Sequence, residues 1–165
     1  MSTTEQNLWE AFAGESQANR KYLAFARRAE KDGYLQVAKL FRAAAHAETV
    51  HAHAHLRALK AIGDTRENLK TAIAGETHEF EKMYPAMIEA AKAEGHKAAE
   101  MSFGFANAVE KTHAELYRKA LEQLEQMPAT DYYVCEVCGH THAGSEPPEK
   151  CVVCGANRKA FSKID

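Results

Sequence analysis

Glu48-Thr49-Val50-His51 lies midway along a run of helix formers bounded by Gly33 and Gly63, and Glu110-Lys111-Thr112-His113 lies in a second such run after Gly95. Residues three apart on an α-helix share a face, about a turn's height from each other. Each pair therefore offers one carboxylate and one imidazole to a single metal ion. Two pairs in matching places predict two half-sites on a helical scaffold.

The surrounding sequence fits that scaffold. Residues 4–127 hold one proline, Pro85, and many Ala, Glu, Lys, Leu and Arg residues, all strong helix formers. Gly33, Gly63 and Gly95 fall where helices can end. Four helices are expected, at about 4–32, 34–62, 65–94 and 96–126. Asp64 with Glu67 makes a capping box for the third. Pro85 should kink that helix, and Pro128 should end the fourth.

The helical part repeats itself. Ala13-Gly14-Glu15-Ser16 matches Ala74-Gly75-Glu76-Thr77 at an offset of 61, and Glu48/His51 matches Glu110/His113 at an offset of 62. The second half carries Glu79 where the first has Ala18, so the site should be nearly two-fold with one added carboxylate. Counting from the turns, Glu15 lies 18 residues before Gly33 and Glu48 lies 15 after it. Glu79 and Glu76 lie 16 and 19 before Gly95, with Glu110 15 after it. At ~1.5 Å per residue each hairpin brings its ligands to one level, within roughly a turn.

The set is then five glutamates (Glu15, Glu48, Glu76, Glu79, Glu110) and two histidines (His51, His113). It is the donor pattern of ferritin-like di-iron and di-manganese carboxylate bundles, and its oxygen-rich character argues against copper. A lone Glu-x-x-His is ordinarily a solvated face, as expected for the region of His46, His53, His55, His78 and His96. Two pairs in register with a duplicated Ala-Gly-Glu reverse those odds. Tyr22 and Tyr84 are either half-buried packing or hydrogen-bond donors to the ligand carboxylates, and both readings stand at this point.

From residue 131 the character changes. All four cysteines fall in the last 31 residues, as Cys135-Glu-Val-Cys138 and Cys151-Val-Val-Cys154 separated by 12 residues. Each pair is followed by a glycine (Gly139, Gly155), and the segment is rich in turn residues. This is a tetrathiolate metal module, too short to fold on its own apolar core. Spacing alone admits zinc or iron. Beside a di-metal bundle, a one-electron iron centre makes more sense than an inert staple.

The remaining composition narrows the field. A 165-residue chain holds one sizeable core and a small satellite, and a net charge of -2 gives no basic surface for nucleic acid. No apolar run reaches the roughly 18–20 residues of a membrane span, and MSTTEQNLWEAF is not a secretory leader. The expectation is a cytoplasmic protein.

On Gly14-Glu15, Glu48-x-x-His51, Gly75-Glu76-x-x-Glu79, Glu110-x-x-His113 and the four cysteines, the chain resembles the rubrerythrin family over essentially its whole length. Val152 departs from the proline usual in such knuckles. The resemblance implies a mainly α fold, with a ferritin-like four-helix bundle over 1–128 and a rubredoxin-like Fe(Cys)₄ domain over 129–165. It implies a non-haem peroxidase acting on hydrogen peroxide. Electrons would come through the Fe(Cys)₄ centre from a rubredoxin or an NAD(P)H-dependent reductase. Glu48 and Glu110 would bridge two irons, with Glu15, Glu76, His51 and His113 terminal. Glu79 and His51 would compete for one iron, and Tyr22 and Tyr84 fall where the family keeps tyrosines beside the metals. The four-cysteine site can also take zinc in recombinant samples. The rival functions are a ferroxidase or iron-handling protein and a non-enzymatic zinc-ribbon scaffold.

Two hairpins related by a two-fold axis require the second and third helices to run parallel, which the few residues around Ile62–Thr65 are too short to connect within one bundle. The expectation is a domain-swapped homodimer.

Overall fold

The computed structural model describes residues 1–165. The helices are α1 (Thr3–Lys31), α2 (Leu35–Ala58), α3 (Thr65–His78), α4 (Tyr84–Ala93) and α5 (Lys97–Glu122), with a π-helical turn Glu79–Met83 joining α3 to α4. No helix is long and apolar enough to cross a membrane. The chain divides into two compact units, Met1–Gly63 and Asp64–Asp165.

Three helix ends are closed by the same six-residue cap, in which the amide three residues past the helix reaches back inside it. Gly33 (φ 85) allows Tyr34 N–H to reach Ala29 O, and Gly95 (φ 69) allows His96 N–H to reach Ala91 O. The second helix departs from expectation. It ends at Ala58, because Lys60 takes the left-handed conformation (φ 52) and Ala61 N–H closes on Leu56 O. Gly63 is not the cap. At the other ends, the Asp64–Glu67 capping box forms as the sequence predicts, and an unforeseen one joins Ser2 to Glu5. His96 caps α5 by accepting Ala99 N–H at 3.2 Å, a local role of the kind expected for that histidine.

Pro85 disturbs its helix by a widened turn rather than a break. Tyr84 N–H bonds to Glu79 O, five residues back, and the proline sits in the first turn of α4, where its missing donor is tolerated. After α5, a short 3₁₀ turn Leu124–Gln126 leads to an extended Met127, the conformation favoured before a proline.

In the first unit α1 and α2 close on small residues. Ala26 and Ala29 of α1 and Ala38, Ala45 and Ala52 of α2 are all buried, and the α2 set repeats every seven residues. Large apolar side chains stay outside: Leu35 and Leu40 are each 68% exposed, and Phe25, Val37 and Val50 are also exposed. One polar group crosses the seam. Asn19 is buried and its Nδ2 donates to Ala45 O (2.6 Å) and Thr49 Oγ1 (2.8 Å).

In the second unit α3 and α4 pack on α5, where Arg118 donates to Thr77 Oγ1 at 2.7 Å. The cysteine segment forms a three-stranded antiparallel sheet in the order β2-β1-β3, from β1 (Tyr132–Cys135), β2 (Thr141–Ala143) and β3 (Phe161–Ile164). Tyr133 pairs with His142 on one side and Lys163 on the other. These strands are too short for an alternation signal, which is why the sequence reads there only as turns.

Candidate metal centres

The two Glu-x-x-His pairs fold into near copies of one half-site. In the first unit His51 Nδ1 lies 2.9 Å from Glu48 Oε2 and 3.9 Å from Glu15 Oε1. In the second, His113 Nδ1 lies 2.8 Å from Glu110 Oε2 and 3.7 Å from Glu76 Oε1. In each triad the ligand atoms lie within 4.8 Å of one another. The match follows from the hairpins: a left-handed glycine turn on each places residue 15 after the glycine level with its partner on the preceding helix.

The copies differ in their surroundings. The His51 side chain is 56% exposed and that of His113 is 26%. His113 also uses its other nitrogen, Nε2, which lies 2.9 Å from Thr141 Oγ1 on β2.

The extra carboxylate, Glu79, lies outside the second triad's cluster of Glu76, Glu110 and His113, but electrostatics registers it beside them. Burial raises the Glu76 pKa above the usual carboxylate value, as do the charge of Glu110 and a hydrogen bond to it, against a smaller opposing pull from His113. Burial and then Glu76 raise Glu79, with His78 and His113 opposing. Crowded, partly dehydrated carboxylates resist ionisation unless a cation joins them. Hard oxygen donors with one imidazole per triad suit divalent iron or manganese, so the residues present fit such ions.

The tyrosines obey the same repeat. Tyr22 stacks on Phe41 (centroids 6.1 Å, planes at 34°) and Tyr84 on Phe103 (6.3 Å, 37°). Both are half-buried packing residues. Tyr84 differs from Tyr22 in its electrostatics: burial and then the charges of Glu79, Glu110 and Glu76 raise its phenol pKa.

The four cysteines converge. Cys135 Sγ lies 3.7 Å from Cys154 Sγ and Cys138 Sγ 3.5 Å from Cys151 Sγ, with all four within 4.8 Å. Each knuckle turns through a left-handed glycine whose amide reaches the first cysteine's carbonyl: Gly139 to Cys135 O (2.8 Å) and Gly155 to Cys151 O (2.9 Å). Burial pushes the Cys138 thiol up. Burial also opposes ionisation of Cys151, but the amides of Cys154 and Val153 and the neighbouring thiols outweigh it and bring its pKa to about 7. Metal-free, the cluster holds thiols that cannot all ionise together. A metal ion resolves that conflict.

Sequence reasoning missed Asn19 and Thr141. A mid-helix asparagine has no distinctive pattern of its own, though Asn19 lies one turn after Glu15 on the same face. Thr141 is adjacent to the knuckle rather than part of it.

The comparisons with known proteins agree with this donor set. The family model for rubrerythrin matches residues 6–121, and that for the rubredoxin-like domain of rubrerythrin matches residues 133–162. Rubrerythrin-2 of Clostridium acetobutylicum is 34% identical, over 96% of this chain and 95% of its own length. Nigerythrin of Nitratidesulfovibrio vulgaris is 34% identical over 98% of this chain and 87% of its own. The solved structure of partially reduced nigerythrin superposes with a TM-score of 0.60 at 32% identity, covering 99% of this chain and 88% of that one. The chain thus carries the Glu/His di-iron residues and the rubredoxin-like four-cysteine site in one polypeptide.

Proposed function

Because the chain belongs to the rubrerythrin family, we propose that it is a cytoplasmic non-haem peroxidase that reduces hydrogen peroxide to water and protects against oxidative stress. What supports this reading is the presence, in one chain, of two matched carboxylate–imidazole triads and a four-thiol cluster. Peroxide reduction consumes two electrons and two protons. Paired irons, when bound, supply the two electrons together, and a thiolate-bound iron refills them singly. The electrons come from NAD(P)H by way of a separate reductase or rubredoxin.

The division of labour among the residues follows the donor set. Glu15, Glu48, His51, Glu76, Glu110 and His113 would hold the two irons, with Glu48 and Glu110 as the carboxylates shared between them. Glu79 and His51 would be the two donors competing for one of the irons. Cys135, Cys138, Cys151 and Cys154 hold the third iron. Burial and then the charges of Glu79, Glu110 and Glu76 hold the proton on the Tyr84 phenol, so Tyr84 would be a hydrogen-bond donor beside the ligand carboxylates. Residues 1–128 serve as the peroxide-reducing bundle and 129–165 as the electron module.

We further infer a domain-swapped homodimer. The connection 59–64 has six residues and spans at most ~20 Å, whereas α2, with 24 residues, is ~36 Å long. Two-fold pairing of the hairpins in one bundle is out of reach for that connection, but the first hairpin of one chain can pair with the second of another. The exposed Leu35, Val37, Leu40 and Val50 are then covered, and each chain supplies half of two sites. Co-expressing E48A with E110A tests it. A swapped heterodimer has one intact site and recovers activity; sites built within single chains would all be damaged.

The activity is tested by metal content and absorption spectra of the reduced protein before and after peroxide. About three irons per chain, a red ferric tetrathiolate, and reductant-driven turnover that C135S abolishes are expected. Iron oxidation that persists in C135S without any peroxide turnover in the parent would make the protein a ferroxidase. A colourless zinc protein with no bundle metal would make it a scaffold.

A further inference from the structure

One contact joins the cysteine module to a metal half-site within the same compact unit. His113 Nδ1 faces Glu110 (2.8 Å) and Glu76 (3.7 Å), and its Nε2 lies 2.9 Å from Thr141 Oγ1. Thr141 opens β2 opposite Val134 of β1. The residue before it, His140, accepts the Cys135 amide through its carbonyl at 2.9 Å. A first-knuckle cysteine and the half-site imidazole are therefore linked by one backbone hydrogen bond, one peptide and one side-chain hydrogen bond. The contact borders a mainly apolar cavity of ≈ 370 Å³ lined by Leu69, Leu116, Met127, Val134 and Ile164.

A hydroxyl is the group this position requires. Without metal, Glu110 accepts from Nδ1, so Nε2 of a neutral ring is an acceptor and the threonine O–H donates to it. With a metal on Nδ1, the ring proton must sit on Nε2, and the threonine oxygen accepts instead. Only a group that is both donor and acceptor serves both states. The β-branched side chain is stiff at χ1, which fixes the ring it holds. His51, the repeat mate of His113, has no such restraint: it is half exposed, and only its Nδ1 is engaged.

We propose that Thr141 is a positioning residue for the bundle metal site: its hydroxyl sets the orientation and tautomer of His113, and so makes metal affinity there depend on the folded cysteine module. The inference rests on the reading that Glu76, Glu110 and His113 hold metal.

The test uses the full chain with Zn²⁺ in the cysteine site, which Co²⁺ does not displace because it binds more weakly. Co²⁺ is titrated into the bundle and followed by visible absorption for the parent, T141V and T141S. Removing such a hydrogen-bond partner from a ligating histidine lowers metal affinity roughly 10–100-fold. T141V is expected to show that loss, and T141S to restore binding. With Zn²⁺ in the bundle, the His113 Nε2–H proton should be protected from exchange in the parent and T141S, and exposed in T141V. Equal Co²⁺ affinity and an unchanged ring proton in T141V would overturn the proposal. Should T141V lose zinc from its cysteines, T141A at the same position decides by the same two measurements. A parent protein that binds no bundle metal would refute the functional reading itself, a result distinct from a T141V that binds as tightly as the parent.

Discussion

Substituting Asn19 by alanine removes the polar pin between α1 and α2. Two hydrogen bonds from Nδ2 are lost, to Ala45 O and Thr49 Oγ1, each contributing about 0.5–1.5 kcal/mol net. Two effects moderate the sum. Thr49 Oγ1 still donates to Ala45 O at 3.3 Å, so that carbonyl keeps a side-chain partner. The Asn19 Oδ1, buried without a partner, disappears with the substitution. The net loss is about 1–2 kcal/mol, a fall in melting temperature of roughly 2–8 °C for a chain of this size. Thermal unfolding followed by helix circular dichroism measures it. A cycle with Thr49→Val isolates the bond, with an expected coupling of about 0.5–1.5 kcal/mol. Asn19 lies one turn from Glu15, and Thr49 is next to Glu48, so bundle metal affinity should fall with stability in N19A. Single effects that add within ~0.3 kcal/mol would refute the pin.

Other perturbations read different parts of the molecule. Between the ordinary glutamate value of 4.5 and the raised values of Glu76 and Glu79, the folded metal-free state holds more protons than the unfolded one, so stability falls as pH rises through that window. Cations displace those protons. Proton release on Mn²⁺ loading should therefore shrink as pH is raised from near 5 to near 8, and a flat profile in a pH-stat titration would contradict the assignment. Replacing Lys60 by glycine relieves its left-handed backbone (φ 52) and should stabilise the chain by about 0.5–1 kcal/mol, seen as a raised midpoint in urea. Stripping metal from the four cysteines should abolish amide protection in β1–β3 while leaving the helical dichroism nearly intact, because the thiols have no other means of closing the module.

The helical architecture and both half-sites are legible in the sequence because the relevant signals are local and periodic. Gly33 and Gly95 mark turns that only a left-handed residue can make, and the levels of Glu48 and Glu110 follow by counting from them. Gly63 misleads for a physical reason: Lys60 accepts backbone strain three residues earlier, and nothing in a lysine advertises that. The pin at Asn19 and the bridge at Thr141 escape notice because each depends on a partner far along the chain. The arrangement of β1–β3 is hidden likewise, since strands of three or four residues carry no usable period.

The wide turn at Glu79–Met83 also keeps the two halves in register. Comparing the two halves, Glu15 maps to Glu76 at an offset of 61, whereas Tyr22 maps to Tyr84, Phe41 to Phe103 and His51 to His113 at 62. The second copy is one residue longer than the first between Glu76 and Tyr84, where the π-helical turn lies. A helix absorbs a single added residue by widening one turn, so everything beyond Tyr84 keeps the phase of its duplicate. The added residue and the acidic side chain at position 79, both absent from the first half, fall in the one segment where the two repeats differ in length. The π-helical turn thus keeps six of the seven candidate ligands in two-fold register while the seventh, Glu79, stands outside the repeat.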